Sequence, residues 1–349
     1  MHLLGLRLVG VGPFADLTLP FADDDGDPRR LTVIQGGGGV GKTTILAALG
    51  ATRPGHAVAG LAGPSGEVGA GTATASYRLG QDDPGRPHPL IVATPSARVF
   101  ASDDAEVLRR REQALFDRLA REGGFVHVGI GATRWFSRHP LSLQAPGRTL
   151  ARYDVRSATP GGDEATRADL ARETKQALVY AAIAGALAEG GTDPRRCRWL
   201  ARAMRDAVES VLAIASVHYV GVDPVTFEPQ FATADAVQVP FDGLPTRVRH
   251  LVAFAALPVR ALWAAYPARE PRDAEGIVTI DEVDLHQDPA SLSLLPGALQ
   301  AALPAVQWIL TATSPLLAAS LEPSQVLALR HGPDARSVEL YTGSQALTH

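Results

Sequence analysis

The chain has 349 residues and a mass of 36.7 kDa, with 46% hydrophobic and 20% charged side chains, enough to bury one large core or two modest ones and too apolar for a disordered tail. Thirty-three Lys and Arg face 37 Asp and Glu for a net charge of -4, and no segment reaches the run of about 18 uninterrupted apolar residues that a membrane span needs, which excludes a transporter's membrane half. The single cysteine, Cys197, excludes an internal disulfide, and the opening MHLLGLRLVG lacks the basic start and long apolar run of a secretory signal, so the expected location is cytoplasmic. Lysine occurs only as Lys42 and Lys175 in a chain otherwise rich in arginine, so arginine clusters carry little weight here while each lysine invites an explanation.

Leu4, Leu6 and Leu8 alternate, and Leu17, Leu19 and Phe21 alternate again beyond Gly12-Pro13, which predicts a strand hairpin. An acidic turn, Asp23 to Pro28, then leads into the apolar run Leu31 to Gln35, expected as a buried strand. A glycine loop and a helix follow, and residues 55–100 read as a small sheet with loose connections. Helical stretches are expected at 103–122 and 164–218, separated by a Gly- and Arg-containing segment over 123–162. Strand signals return at Val217–Val222, Gly276–Ile280, Val306–Leu310 and Gln325–Leu329, and helical segments between the last three supply the crossovers of a parallel sheet. No internal repeat or heptad run is present, which leaves no room for a long coiled coil.

Gly36-Gly37-Gly38-Gly39-Val40-Gly41-Lys42-Thr43 fits G-x-x-x-x-G-K-[ST] between an apolar run and a helix carrying Ile45, Leu46 and Leu49. In a chain of this composition roughly 0.002 such matches arise by chance, so the motif points to a phosphate-binding loop. Its backbone N–H groups and the helix N-terminus suit phosphate oxygens, Lys42 reaches the outer phosphates, and the Thr43 hydroxyl, followed by Thr44, suits Mg²⁺. A second element, Ile277–Ile280, ends in Asp281-Glu282. Asp281 would hold the Mg²⁺ shell and Glu282 would polarise the attacking water in an in-line phosphoryl transfer.

Asp281-Glu282-Val283-Asp284-Leu285-His286-Gln287-Asp288-Pro289 resembles the DEIDLHLHP segment of ABC-type ATPases related to the SMC, RecF and OLD proteins, and Leu303 to Pro315 resembles their FPNIQFIVTTHSP. Gly129 to Arg134 is similar to the GYGATR segment of compact members, some of which serve bacterial antiviral systems such as Septu and retrons, and Pro13 to Leu17 fits the family's first hairpin. The resemblance implies an α/β P-loop NTPase over 1–349, an ABC-type ATPase head with a mainly parallel sheet, an antiparallel β subdomain and a helical lobe. Its expected parts are an N-terminal β and phosphate-loop portion at 1–100, a helical insert at 101–220, and a C-terminal portion at 221–349 holding the acidic strand. It implies ATP and Mg²⁺ as ligands, a homodimer or higher oligomer, and an effector or nuclease partner protein.

The chain departs from the family pattern at defined places. Thr313 stands where the family has a histidine that contacts the γ-phosphate, and Asp288 replaces the second histidine of the acidic segment although His286 remains. The trans signature resembling LSDG falls at Leu244-Pro245-Thr246-Arg247, with Arg247 and Arg249 open to two readings, a compensating charged donor or plain surface arginine. Arg195, Arg198, Arg202 and Arg205 share one helix face, either a stripe for nucleic-acid phosphates or a solvated face in an arginine-biased chain. No Cys/His ligand set, nucleophile elbow or acidic nuclease cluster is evident. The functional expectation is an ATP-hydrolysing dimerisation switch; a hydrolysis-impaired nucleotide-gated scaffold and a DNA-repair loader are the alternatives.

Overall fold

The structure, a computed structural model, describes residues 1–52, 61–62, 68–78, 90–94, 126–138, 169–333 and 337–347. The helix expected at 103–122, the start of the 164–218 stretch, and most of 79–100 and 139–162 lie outside the described residues.

Strands β1 (His2–Val11) and β2 (Phe14–Pro20) form the expected hairpin, with Leu6 opposite Leu19 and Leu8 opposite Leu17, so their alternating leucines share one buried face. Strand β3 (Leu31–Gly36) leads through the glycine loop into helix α1 (Lys42–Ala51). The next strands, β4 (Leu61–Ala62), β5 (Val68–Arg78) and β6 (Leu90–Thr94), fall in the segment expected as a small sheet; β5 pairs with β1, so they and the hairpin form one five-stranded sheet. The reason is an edge: β1 carries β2 on one side only, and β5 satisfies the hydrogen-bonding groups on the other.

Strand β7 (His127–Ile130) lies within the segment expected to be a helical insert, yet it forms the edge of the central sheet beside the acidic strand. The helical stretch expected over 164–218 contains two helices, α2 (Ala171–Ala186) and α3 (Pro194–Leu212), the second starting at Asp193-Pro194. Gly190 and Gly191 break the run, and Asp193 restarts it, its side chain accepting from the Arg196 N–H at 3.0 Å with Pro194 in the first turn. Strands β8 (His218–Val222), β9 (Pro229–Ala232) and β10 (Gln238–Pro240) make a separate three-stranded antiparallel sheet ahead of helix α4 (Thr246–Ala265). Strand β11 (Gly276–Ile280), helix α5 (Pro289–Ala302), strand β12 (Val306–Ala312), helix α6 (Pro315–Ala319) and strands β13 (Val326–His331) and β14 (Val338–Thr342) complete the chain.

The central sheet runs in the order β14-β13-β3-β12-β11-β7, parallel except for β14. Both of its faces are covered, which is why β12 reads as a nearly continuous apolar run and is buried throughout. Trp308 and Leu310 of β12 face helices α2 to α5, whereas Ile309 faces α1 and the antiparallel sheet. Helix α4 is long and apolar enough to cross a membrane by length and composition, a segment the sequence reading passed over. Of that helix's apolar window, 89% is buried inside the fold, so it is read as the core helix of the helical layer.

One of the two lysines is accounted for here. Lys175 of α2 is buried, its Nζ 2.7 Å from Asp242 Oδ2 and 2.8 Å from Glu228 Oε1, tying α2 to the turn that launches α4. Lys175→Met leaves two half-buried carboxylates facing each other without a cation and should cost about 2–3 kcal/mol in urea denaturation. A loss below about 0.5 kcal/mol would show that the bridge is merely a surface pair.

Two histidines set an acid limit. His250, fully buried on α4, stacks 5.9 Å from Phe254 and 5.4 Å from His286 and lies near Arg134 and Arg249. Burial, followed by those positive neighbours, pulls it down to about 3, and burial likewise lowers His2 to about 4. The unfolded chain therefore takes up protons below about pH 6.5 that the folded chain refuses, so stability is complete above that pH and falls as pH drops toward these values. His250 alone should cost about 2 kcal/mol between pH 6.5 and pH 5. Urea midpoints at the two pH values check this, and His250→Phe should flatten the slope.

Candidate functional site

Four parallel strands, β3, β12, β11 and β7, end side by side, and their C-terminal ends, the loops that leave them and the first turn of α1 carry the residues singled out by the phosphate-loop and acidic-strand motifs. In open α/β sheets this edge is where ligands bind.

The glycine loop is shaped from both sides. Gly41, the N-cap of α1, has φ 91, and a Cβ there would meet the Phe14 and Pro13 rings at 2.6 and 2.7 Å, so the hairpin tip braces the loop against α1. Gly37, Gly38 and Gly39 have nothing within 4 Å of an added Cβ, leaving their backbone open. Val40 is buried against Gly36, and the Thr44 side chain packs on Gly12 of the hairpin tip, so Thr44 offers the site its backbone. Lys42 is buried, with its Nζ donating to the Gly36 and Gly37 carbonyls at 2.7 and 2.8 Å. Its charge is thus held in the loop rather than in solvent.

Across from the loop, the Thr43 hydroxyl donates to Asp281 Oδ2 at 2.7 Å. The other carboxylate oxygen, Oδ1, accepts from the Thr311 hydroxyl at 2.6 Å, and that same hydroxyl oxygen accepts the Glu282 N–H at 2.7 Å. Asp281 is buried, and its own N–H bonds the Ile130 carbonyl at 2.8 Å. Glu282 is half-buried at φ 46, in the left-handed region that non-glycine residues seldom occupy. Asp284 accepts the Thr313 and Ser314 N–H groups at 3.0 and 2.7 Å, which fixes the loop after β12 and leaves Thr313 exposed at its start.

The structure also gives the Gly129–Arg134 segment a place at the site. Arg134, just beyond β7, is buried and donates to the carbonyls of Gly131 at 3.0 Å, Asp281 at 2.6 Å and Glu282 at 2.7 Å. Burial pulls its guanidinium down to about 10, offset by Asp281, Glu282 and Asp284, so it remains charged at neutral pH. In the segment compared with the trans signature, Pro245 precedes the first turn of α4 and Arg247 bonds Asp288 and, at 3.0 Å, the Ser291 hydroxyl. Two departures from the family pattern are therefore partners of each other. Asp288 also caps α5 by accepting the Ser291 N–H at 2.9 Å, and Arg249 lies 5.1 Å from the Phe136 ring while bonding Thr246.

The arginine face of α3 is engaged within the chain. Arg198 pairs with Glu189 at 2.5 Å, Arg202 pairs with Glu270 at 2.6 Å, Arg205 donates to the Tyr219 carbonyl at 3.2 Å, and Arg195 lies 4.3 Å from the Trp199 ring. Three of the four arginines thus reach neighbouring elements, and Arg195 lies against its own helix.

A hydroxyl and a carboxylate in contact beside an open glycine loop form a hard-oxygen donor set, and the residues present fit a divalent cation with a nucleotide phosphate. No protein-family model matches the chain, and no curated protein matches it in sequence. Among solved structures, the chain is similar over its whole length to an Smc head bound to the C-winged helix domain of ScpA, with a TM-score of 0.54, 12% identity and all of both chains covered. A Pyrococcus furiosus Smc head carrying an extended coiled coil and bound to the C-terminal domain of ScpA gives 0.53 and 12%, covering 98% of this chain and 96% of that one. A Pyrococcus yayanosii Smc head with a coiled coil and joint gives 0.50 and 10%, covering 99% and 98%. The fold is thus the mainly parallel α/β fold of Smc head domains.

Proposed function

We propose that this chain binds Mg-ATP and hydrolyses it to ADP and phosphate, and that the nucleotide drives dimerisation as a switch for a partner protein or nucleic acid. The observation that carries the reading is the 2.7 Å contact between the Thr43 hydroxyl and Asp281, two residues far apart in sequence brought together beside the glycine loop. Gly36 to Thr44 would hold the phosphates, with Lys42 moving from its own carbonyls to the substrate's oxygens. Thr43 and Asp281 would hold Mg²⁺, which when bound neutralises charge on the phosphate oxygens. Glu282 then accepts a proton from the attacking water, and Thr313 offers one hydroxyl hydrogen bond where the family has a histidine.

The similarity of Gly129–Arg134 to compact antiviral ATPases supports an effector or nuclease as the partner, and the partner-bound Smc heads among the structural neighbours support a protein partner in general. One observation favours the scaffold reading: Arg247 is tied to Asp288 within the chain, which weakens it as a donor to a second copy's nucleotide. Size measurement with and without Mg-ATP, on wild type and Glu282→Gln, tests the switch. The switch requires a nucleotide-dependent dimer that decays in wild type and persists in the variant; a dimer equally stable in both supports the scaffold.

A further inference from the structure

The geometry points to Arg134 as a positioning residue that holds the Asp281–Glu282 turn in working order through its backbone, an inference that rests on the ATPase reading of the site. Glu282 sits in the left-handed region at φ 46, a conformation that costs about 1–2 kcal/mol for a residue with a side chain and persists only where its surroundings enforce it. Two clamps enforce it here. From the β12 side, the Thr311 hydroxyl takes the Glu282 N–H at 2.7 Å and its backbone carbonyl takes the Val283 N–H at 2.9 Å. From the β7 side, Arg134 reaches the carbonyls on either side of the Glu282 Cα, those of Asp281 and Glu282, at 2.6 and 2.7 Å.

The planar fork is what allows one side chain to fix two successive carbonyls. Its position is in turn set by the Gly131 carbonyl at 3.0 Å and by the Phe254 ring of α4, 5.3 Å away. Arg134 touches neither carboxylate in these contacts: it sets the two peptides that flank the Glu282 Cα, and with them the direction in which the base projects. A small rotation of either peptide displaces the carboxylate while leaving the glycine loop and Lys42 undisturbed.

The test uses the full-length chain with Arg134→Gln, Arg134→Lys, Glu282→Gln and the Arg134→Gln/Glu282→Gln double variant, reading Mg-ATP affinity, phosphate release and amide exchange over 281–285. Arg134→Gln should keep ATP affinity within about threefold of wild type and lower turnover about 100-fold, the scale expected for a misplaced catalytic group. Arg134→Lys, which keeps the charge and loses the fork, should fall between them. In the Glu282→Gln background, Arg134→Gln should add no further loss, because the two act as one unit. Amide protection at Glu282 and Val283 should drop in Arg134→Gln and Arg134→Lys.

Turnover near wild type in Arg134→Gln, affinity falling in step with turnover, or unchanged protection at Glu282 and Val283 would each overturn the inference. Should wild type release no phosphate, the hydrolysis reading fails by itself, and the exchange result still decides whether Arg134 holds the turn.

Discussion

Lys42→Ala should weaken Mg-ATP binding by about 100- to 1,000-fold, the loss expected when charge-assisted bonds to phosphate oxygens are removed. The side chain is buried, and its ammonium sits on the Gly36 and Gly37 carbonyls, inside the loop that would wrap the phosphates. Its charge is therefore placed in advance where triphosphate charge would arrive, with little side-chain freedom left to lose on binding. Isothermal titration with Mg-ATP reads the effect directly. Affinity unchanged in the variant would place the nucleotide somewhere other than this loop.

Glu282→Gln should retain ATP affinity and lower turnover by about 10²- to 10⁴-fold, the range that a positioned general base contributes. The substitution keeps the size of the side chain and the backbone bonds to Thr311 and Arg134, so the site's geometry survives while proton acceptance is lost. If dimerisation follows nucleotide binding, the ATP-bound dimer accumulates in this variant. Turnover equal to wild type would remove Glu282 from the chemistry and shift attention to other groups at the strand ends.

The glycine loop was legible in the sequence because its parts are contiguous: a strand, a glycine run and a helix start leave a pattern that needs no tertiary information. Asp281 and Glu282 were legible for a similar reason, as an apolar run closed by two carboxylates. Arg134 was legible only as the end of the Gly129–Arg134 segment; its burial was not, and the carbonyls it binds lie far along the chain. Thr311 lies in the Leu303–Pro315 segment that carries the resemblance, yet its bonds to Asp281 and Glu282 show only in three dimensions. The strand signal at His127–Ile130 was masked by the glycine-rich character of its surroundings, and only pairing with β11 reveals it as part of the central sheet. The pairing of Arg247 with Asp288 shows the limit most clearly: each looked like a separate departure from the family pattern, and only three-dimensional proximity makes them one feature.

Steady-state phosphate release from Mg-ATP by the purified chain, measured beside Glu282→Gln as the control for contaminating ATPase, tests the central claim most directly. The account predicts turnover in wild type that the variant abolishes, with ATP binding intact in both. Phosphate release that survives the substitution undiminished, or ATP binding without any turnover in wild type, would contradict it.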